Sequence, residues 1–197
     1  MGEKTIVSLA PAYLGIFDYD KPGQVVDALL RLGFSEVRET AEGAAYVTEA
    51  YTRLLAEGQM KNIISTCCPS VNELVEKYYP ELVEYMAPVV SPMIAHGKLI
   101  KSMYGPDVKV VFVGPCIAKK QEAEGDDRTT GFVDAVLNFE EIESWLQERD
   151  ISIRECEEKQ PTNPDPKINR LYPVTSGVIS SVLAKKKVDS YKKIFVD

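Results

Sequence analysis

The sequence is poor in the features that mark several common classes of protein. It has four cysteines among 197 residues, too few for a disulfide scaffold. No apolar run approaches the roughly 20 residues of a membrane span, and residues 1–4 lack the pattern of a signal peptide. The net charge of −7 argues against a nucleic-acid surface, which is normally basic. These absences predict a cytoplasmic protein with reduced cysteines and with no membrane or nucleic-acid partner.

The remaining pattern alternates β-prone and helical segments along the whole chain. Strands are predicted at residues 5–9, 36–40, 62–66, 109–113 and 132–137, with a last strand beginning at 193–196. Helices are predicted at residues 22–32, 44–56, 71–78, 93–103, 139–148 and 178–186. This alternation predicts an α/β fold of parallel sheets flanked by helices. Gly105-Pro106 predicts a boundary between two lobes, 1–104 and 105–197, and the strand at the end indicates that the second lobe is truncated.

Three of the cysteines come directly after predicted strands. Cys67 and Cys68 follow the third strand, and Cys116 lies three residues after the fourth. Because ligands collect at the carboxyl ends of strands in α/β proteins, the two segments can converge on one crevice. Lys119 would favour the thiolate form that binds metal. The pattern predicts an iron–sulfur or other thiolate-held metal site, and the residues alone leave open a second interpretation, in which the cysteines are small buried residues at strand ends.

Several segments of the chain resemble the catalytic domain of FeFe hydrogenases. They follow one another in the order and spacing of that family and together cover nearly the whole sequence. The most specific are Thr66-Cys67-Cys68-Pro69 and residues 115–122, which read Pro-Cys-Ile-Ala-Lys-Lys-Gln-Glu and are similar to the first two active-site signatures of the family. Further resemblances lie at Ala10-Pro11, at Ser91-Pro92-Met93, at residues 132–136 and at residues 175–178.

The resemblance implies an H-cluster, which is a 4Fe–4S cubane bridged by a cysteine to a two-iron unit with cyanide ligands. It implies that Cys68 and Cys116 ligate the cubane and that Cys67 passes protons as a free thiol. Lys119 would donate a hydrogen bond to an iron-bound cyanide, and Glu49 falls about where the family has a glutamate of its proton path. The implied lining of the two-iron pocket is Ala10, Pro11, Ser91, Pro92, Met93, Gly114 and Pro115. The implied activity of the full-length parent is the interconversion of protons, electrons and dihydrogen, with an electron carrier such as ferredoxin as partner.

The chain also departs from the pattern of the family. Nothing in it matches the third signature, which supplies the remaining cubane ligands and is expected after residues 193–196. This fragment alone is therefore expected to hold no intact cluster and to be inactive. Cys156 lies in a charged segment and is interpreted as an exposed thiol outside the site. Gly114 stands where typical hydrogen producers have methionine, which predicts a looser pocket wall, and Val71 stands near the place of a usual tryptophan.

These departures leave two alternatives to a hydrogenase. The first is a hydrogen- or redox-sensing module that reports to a signalling domain, because the departures resemble a divergent, sensory branch of the family. The second is an iron–sulfur-only relative, against which Cys67 and Lys119 argue, since both would serve the two-iron unit. Four other residues are interpreted as structural: His96 as a packed histidine, and Tyr78, Tyr79 and Trp145 as core or interface aromatics.

Overall fold

The computed structural model describes residues 4–58, 60–125, 128–163 and 167–185. At the centre of these residues is a four-stranded parallel sheet with the strand order β2-β1-β3-β4. The strands are β1 (Thr5–Leu9), β2 (Glu36–Glu39), β3 (Lys109–Val113) and β4 (Ala135–Leu137). The predicted α/β fold with a parallel sheet is confirmed.

Seven helices accompany the sheet within the described ranges. They are α1 (Gly23–Arg31), α2 (Ala41–Glu57), α3 (Pro69–Tyr78), α4 (Pro92–Tyr104), α5 (Ala118–Ala123), α6 (Phe139–Glu148) and α7 (Gly177–Lys185). Short 3₁₀ helices lie at Pro11–Gly15, Pro80–Tyr85, Ile153–Glu155 and Lys167–Leu171. Local chemistry sets several of the ends: α3 and α4 begin with proline, whose fixed φ suits the first turn. The helix α2 ends at Gly58, which takes a φ of 65°.

The two central strands form the middle of the main hydrophobic core. Residues of β1 and β3, such as Ile6 and Val110, are fully buried and pack with Leu29 of α1, Ile100 of α4 and Ile142 of α6. Each such aliphatic side chain contributes about 1.5–3 kcal/mol when it leaves water. The continuous apolar strands are therefore what fixes the sheet between its helices.

Strands from both sides of the predicted lobe boundary belong to this one sheet. β1 pairs in parallel with β3, with Thr5 opposite Lys109 and Leu9 opposite Val113. Within the described residues, the segments 1–104 and 105–197 therefore share a sheet and a core. Their division into two lobes stays a prediction for the protein as a whole, and the strand predicted at 193–196 lies outside the described residues.

The strand predicted at residues 62–66 is wrong. In this segment the structure has a single parallel bridge between Ile64 and Met86, with hydrogen bonds from Ile64 N to Tyr85 O and from Ala87 N to Ile64 O. The segment lies against the chain that precedes α4 rather than against the sheet. A β-prone sequence without a neighbouring strand cannot form a ladder, which explains the difference.

The helices α2 and α4 cross in very close contact. A Cβ atom on Gly43 would lie 2.3 Å from Pro92 O and 2.6 Å from His96 Cβ. His96 is fully buried, with Nδ1 2.7 Å from Ser8 Oγ and Nε2 3.1 Å from Glu42 Oε2. It is the packed structural histidine that the sequence predicts, and it ties α4 to both the sheet and α2.

The structure corrects the interpretation of two features and supports a third. Tyr78 and Tyr79 are exposed, Tyr78 by 71%, because they lie on the outer face at the end of α3. Cys156 is buried at 6% exposure, because Gln24 of α1 holds the backbone carbonyl of Cys156. Trp145 packs edge-on against Phe34 beside the main core, as predicted. No helix in the described part of the chain is both long enough and apolar enough to span a membrane.

Candidate functional site

The first cysteine segment is held in place by Thr66. Its hydroxyl donates to Val89 O at 2.6 Å and lies 3.1 Å from Ala87 O, and its backbone N–H donates to the Tyr51 hydroxyl at 2.9 Å. The carbonyl of Thr66 accepts a hydrogen bond from Asn72 Nδ2 at 3.0 Å. One buried threonine thus connects this segment to α2, to α3 and to the chain that leads into α4.

The two adjacent cysteines that follow Thr66 have different surroundings. Cys67 is half-buried and packs against a second hydrophobic cluster, which includes Val47, Tyr51 and Ala87. Cys68 is exposed, has an extended backbone, and immediately precedes Pro69 at the start of α3. A free, exposed thiol at the beginning of a helix is accessible to a metal, whereas Cys67 is largely shielded from water.

The second cysteine segment continues from the carboxyl end of β3. Gly114 N donates to Leu137 O at 3.1 Å, and Ala10 N donates to Val113 O at 2.8 Å, so the ends of β1 and β3 are joined. Cys116 follows as a half-buried free thiol before α5. The backbone of Ala10 and Gly114 therefore lies at one edge of the sheet, where parallel strands gather ligands.

The structure is closely packed beside Gly114, and a looser pocket wall than one with methionine stays a prediction. A Cβ atom at this position would lie 2.7 Å from the Phe112 ring and 2.9 Å from Ala10 Cβ. The space beside the glycine is filled by these two side chains, and Gly114 is itself buried. Glycine at this position permits the close packing of Phe112 and Ala10 at the end of β3.

Lys119 joins the two cysteine segments. Its Nζ donates to Cys67 O at 3.1 Å and to Glu122 Oε2 at 2.6 Å. The Lys119 and Glu122 side chains are only 11% and 8% exposed, so this is a buried ion pair. The contact brings the helix that follows Cys116 against the backbone of Cys67.

Burial has the largest effect on the pKa of the Cys67 thiol. It raises the pKa of the Cys67 thiol, and hydrogen bonds from Ser65 and Tyr51, together with the charge of Lys119, oppose it without reversing it. Lys119 acts on Cys67 in the expected direction, because its charge lowers the pKa of the thiol, but burial outweighs this effect. Its ammonium is paired with Glu122, which acts in the opposite direction. Cys67 is a protonated thiol at neutral pH.

A cleft of about 460 Å³ opens beside these segments. Its lining includes Thr66, Pro69, Ser91 and Glu122, together with the apolar chain of residues 86–90. Ser91 is almost fully buried, and its Oγ accepts a hydrogen bond from Ile94 N at 3.4 Å, which caps α4. Pro92 and Met93 form the first turn of that helix, and Met93 is buried. Pro11 is half-buried and opens the 3₁₀ helix after β1, whereas Pro115 is exposed.

Two further residues, Glu49 and Cys156, have surroundings of their own. Glu49 is on α2, its side chain is 48% exposed, and its carboxylate lies 3.6 Å from Arg53 Nε. Cys156 lies against α1, and its thiol donates to Ser152 O at 3.3 Å. Tyr51, by contrast, lies at the site although the sequence interpretation missed it. No motif marks this residue, since it precedes Cys67 by 16 positions within a helix.

The donors present fit an iron–sulfur cluster in kind but do not close a site. Cysteine thiolates are the ligands of such clusters, and Cys68 and Cys116 are free thiols in segments joined by Lys119. Among the described residues, no group of three or more histidine, cysteine, aspartate or glutamate side chains could hold a metal ion. The described residues therefore include thiols of the kind that hold such a cluster but no closed ligand set.

These features define a class of protein: a parallel α/β domain that presents cysteine thiols beside a buried lysine near the carboxyl edge of its sheet. A family model described as "Iron only hydrogenase large subunit, C-terminal domain" matches residues 3–195. The chain belongs to this family.

Known hydrogenases are similar to the chain over most of its length. Iron hydrogenase 1 of Clostridium pasteurianum is 28% identical over 192 residues, which cover 87% of this chain and 33% of that protein. The periplasmic Fe hydrogenase large subunit of Nitratidesulfovibrio vulgaris (strain Hildenborough) is 29% identical over 189 residues, 82% of this chain and 43% of that protein. The chain thus spans less than half the length of these relatives.

Solved structures of hydrogenases share the fold. A variant of apo FeFe-hydrogenase HydA1 from Chlamydomonas reinhardtii has a TM-score of 0.69 at 27% identity, covering 82% of this chain and 47% of that one. A HydA structure described as revealing stepwise H-cluster assembly has a TM-score of 0.66 at 26% identity, covering 92% of this chain and 51% of that one.

Proposed function

We propose that this chain is part of an H-cluster domain and that the whole protein interconverts protons, electrons and dihydrogen. Membership of the iron-only hydrogenase family supports the proposal. The observation that carries it is the hydrogen bond from Lys119 Nζ to Cys67 O, which links the two cysteine segments. A thiolate site of this kind needs donors from distant parts of the chain to meet, and this contact joins them.

In this proposal Cys68 and Cys116 are the cubane ligands that the described residues provide. Cys68 is exposed and Cys116 is half-buried, so both thiols can reach a cluster. When bound, the H-cluster supplies the redox chemistry of dihydrogen. The pocket around the two-iron unit would be lined by residues at the edge of the sheet and at the start of α4: Ala10, Pro11, Ser91, Pro92, Met93, Gly114 and Pro115.

Lys119 would serve as a fixed hydrogen-bond donor to an anionic group. An ammonium has three N–H donors, and within the described residues Cys67 O and Glu122 Oε2 accept from Lys119. One donor remains for a ligand in the site. A charge-assisted hydrogen bond of this kind contributes about 1.5–3 kcal/mol, which suits Lys119 to retain a cyanide-bearing unit.

Cys67 would hold and transfer a proton at Sγ. Its raised pKa keeps the sulfur protonated at neutral pH, and its half-buried position restricts access of bulk water. A positioned acid of this kind contributes typically 10²–10⁴-fold to a rate. Glu49, with its half-exposed carboxylate on α2, would be the entry of the proton path from solvent.

The partners follow from the chemistry that we propose. Oxidation of dihydrogen releases electrons, so an electron carrier such as ferredoxin would collect them. We place the protein in the cytoplasm, where its free thiols stay reduced, and fractionation of the source cells would test this placement because one relative is described as periplasmic.

The test of the proposal uses four single alanine variants of the full-length protein. Cys68→Ala and Cys116→Ala should lose cubane iron, and Lys119→Ala should lose the two-iron unit selectively. Cys67→Ala should keep its iron and lose turnover by roughly 10²-fold or more. Iron content and dihydrogen turnover are measured on anaerobically reconstituted protein, with Cys156→Ala as the matched cysteine control.

Two outcomes would contradict this assignment. Loss of cubane iron in Cys67→Ala with retention in Cys68→Ala would reverse the roles of the adjacent cysteines. Full iron content without turnover in the unmodified protein would contradict the hydrogenase and favour the sensing alternative.

A further inference from the structure

Tyr51 lies beside Cys67 and is almost fully buried. Its hydroxyl is 3.9 Å from Cys67 Sγ, which is within hydrogen-bonding reach of sulfur. The tyrosine and Cys67 belong to the same hydrophobic cluster, together with Val47 and Ala87. The Tyr51 hydroxyl is thus a polar group that faces the Cys67 sulfur from within an apolar cluster.

The neighbouring hydrogen bonds fix the position of the Tyr51 oxygen. Thr66 N donates to it at 2.9 Å, which anchors the oxygen to the backbone just before Cys67. Thr66 Oγ1 lies 3.2 Å from it but directs its own proton to Val89 O, so toward Tyr51 it acts as an acceptor. The single proton of Tyr51 can therefore point to Thr66 Oγ1, to Ser65 Oγ at 3.5 Å or to Cys67 Sγ, and its oxygen can also accept from the thiol.

The hydroxyls of Tyr51 and Ser65 both lower the pKa of the Cys67 thiol, and the Tyr51 oxygen lies 3.9 Å from the sulfur. Ser65 is exposed and can exchange its partner for water. Tyr51 is on a helix, is buried, and is fixed by the Thr66 amide. Of the two, Tyr51 is the one that can hold the sulfur in a single orientation.

We propose that Tyr51 is a positioning residue that orients Cys67 Sγ through its hydroxyl. The inference deepens the proposed function, because a proton relay requires a fixed distance between donor and acceptor. The contact itself does not depend on that function and can be measured in the metal-free chain.

The first experiment reads the S–H stretching band of Cys67 by infrared spectroscopy of the metal-free chain. The band is identified by its loss in Cys67→Ala. Tyr51→Phe removes only the hydroxyl and should shift this band to higher frequency, because the thiol loses a hydrogen-bond partner. Tyr172→Phe is the matched control, since the Tyr172 hydroxyl belongs to the same cluster but bonds Thr48 at 2.8 Å. An unchanged band in Tyr51→Phe, or an equal shift in the control, overturns the proposal.

A reciprocal measurement keeps the wild-type tyrosine and covers the case in which Tyr51→Phe fails to fold. In protein labelled with 13C at tyrosine Cζ, Cys67→Ala should move the resonance of Tyr51. Cys156→Ala removes a buried cysteine on the other side of the core and should leave the resonance in place. If the Tyr51 resonance does not move in Cys67→Ala, the proposal is overturned.

The third experiment asks whether Tyr51 acts through Cys67 in the full-length protein. Tyr51→Phe should lower dihydrogen turnover by roughly three- to tenfold, the effect of one modest hydrogen bond. The same substitution should have no further effect in a Cys67→Ala background, since the two residues form one unit. An equal loss in both backgrounds overturns the proposal. If the protein with both Tyr51 and Cys67 intact shows no dihydrogen turnover, the proposed function is contradicted. The infrared and 13C measurements then still test the contact between Tyr51 and Cys67.

Discussion

Replacing Lys119 by methionine should destabilise the metal-free chain strongly. The substitution preserves the unbranched stem but removes the ammonium that bonds Glu122 Oε2 at 2.6 Å and Cys67 O at 3.1 Å. A bond between charged groups contributes about 1.5–3 kcal/mol and one to a carbonyl about 0.5–1.5 kcal/mol. Loss of one member of a buried pair costs about 3–5 kcal/mol, but the cleft beside Glu122 gives its carboxylate some access to water. The expected loss of unfolding free energy is therefore about 3 kcal/mol.

The assay is urea unfolding of the single and double variants of the metal-free chain. Lys119→Met combined with Glu122→Met should recover most of the loss, because no uncompensated charge stays buried. Lys120→Met is the matched control: its partner Glu141 and Lys120 itself are about 40% exposed, so it should cost below about 1 kcal/mol. The reasoning is refuted if Lys119→Met costs no more than Lys120→Met, or if the double variant is as unstable as the single one.

Two further predictions concern the crossing of α2 and α4. Gly43→Ala should lower the free energy of unfolding by about 1–3 kcal/mol, because the new Cβ would meet Pro92 O at 2.3 Å. Thermal unfolding measures this loss, with Gly15→Ala as the control because its Cβ enters open space. Equal melting temperatures of the two variants would contradict the prediction. Burial lowers the pKa of His96 below its ordinary 6.5, so the unfolded chain binds this proton first and stability declines as the pH falls below about 6.5. His96→Gln should flatten this decline between roughly pH 6.5 and 5 in urea unfolding, and identical slopes in the two proteins would contradict it.

The centre of the sheet could be predicted because its strands β1 and β3 are mostly apolar. Residues 109–113 are buried almost throughout, as a central parallel strand requires. The segment 62–66 also contains β-prone residues but has only a single bridge and no paired strand, and pairing partners are a property of the fold. Strand order is likewise tertiary: β1 pairs with β3, which follows it by about a hundred residues in the chain.

The candidate site could be predicted only as far as its motifs reach. The cysteines and Lys119 are recognisable because their spacing along the chain is local. The ion pair of Lys119 with Glu122 has i,i+3 spacing within α5 and is local in the sequence. The role of Tyr51 depends on which face of α2 meets Cys67, and no short sequence pattern encodes this. Cys156 was misread for a related reason: its charged neighbours are at the surface, while the cysteine itself turns inward onto α1.

The two cysteine segments rest on different supports, and this explains why one lysine matters to both. Cys116 continues directly from β3 and takes its position from the sheet. The segment of Cys67 leaves no strand; it depends on Thr66, which is bonded to α2 through Tyr51 and to the chain before α4. Since α2 and α4 are locked at Gly43, these supports are each rigid, and Lys119 is the polar contact that sets one against the other. The position of the Cys67 backbone relative to α5 therefore depends on the hydrogen bond from Lys119 Nζ to Cys67 O, and the ion pair with Glu122 holds the ammonium in place.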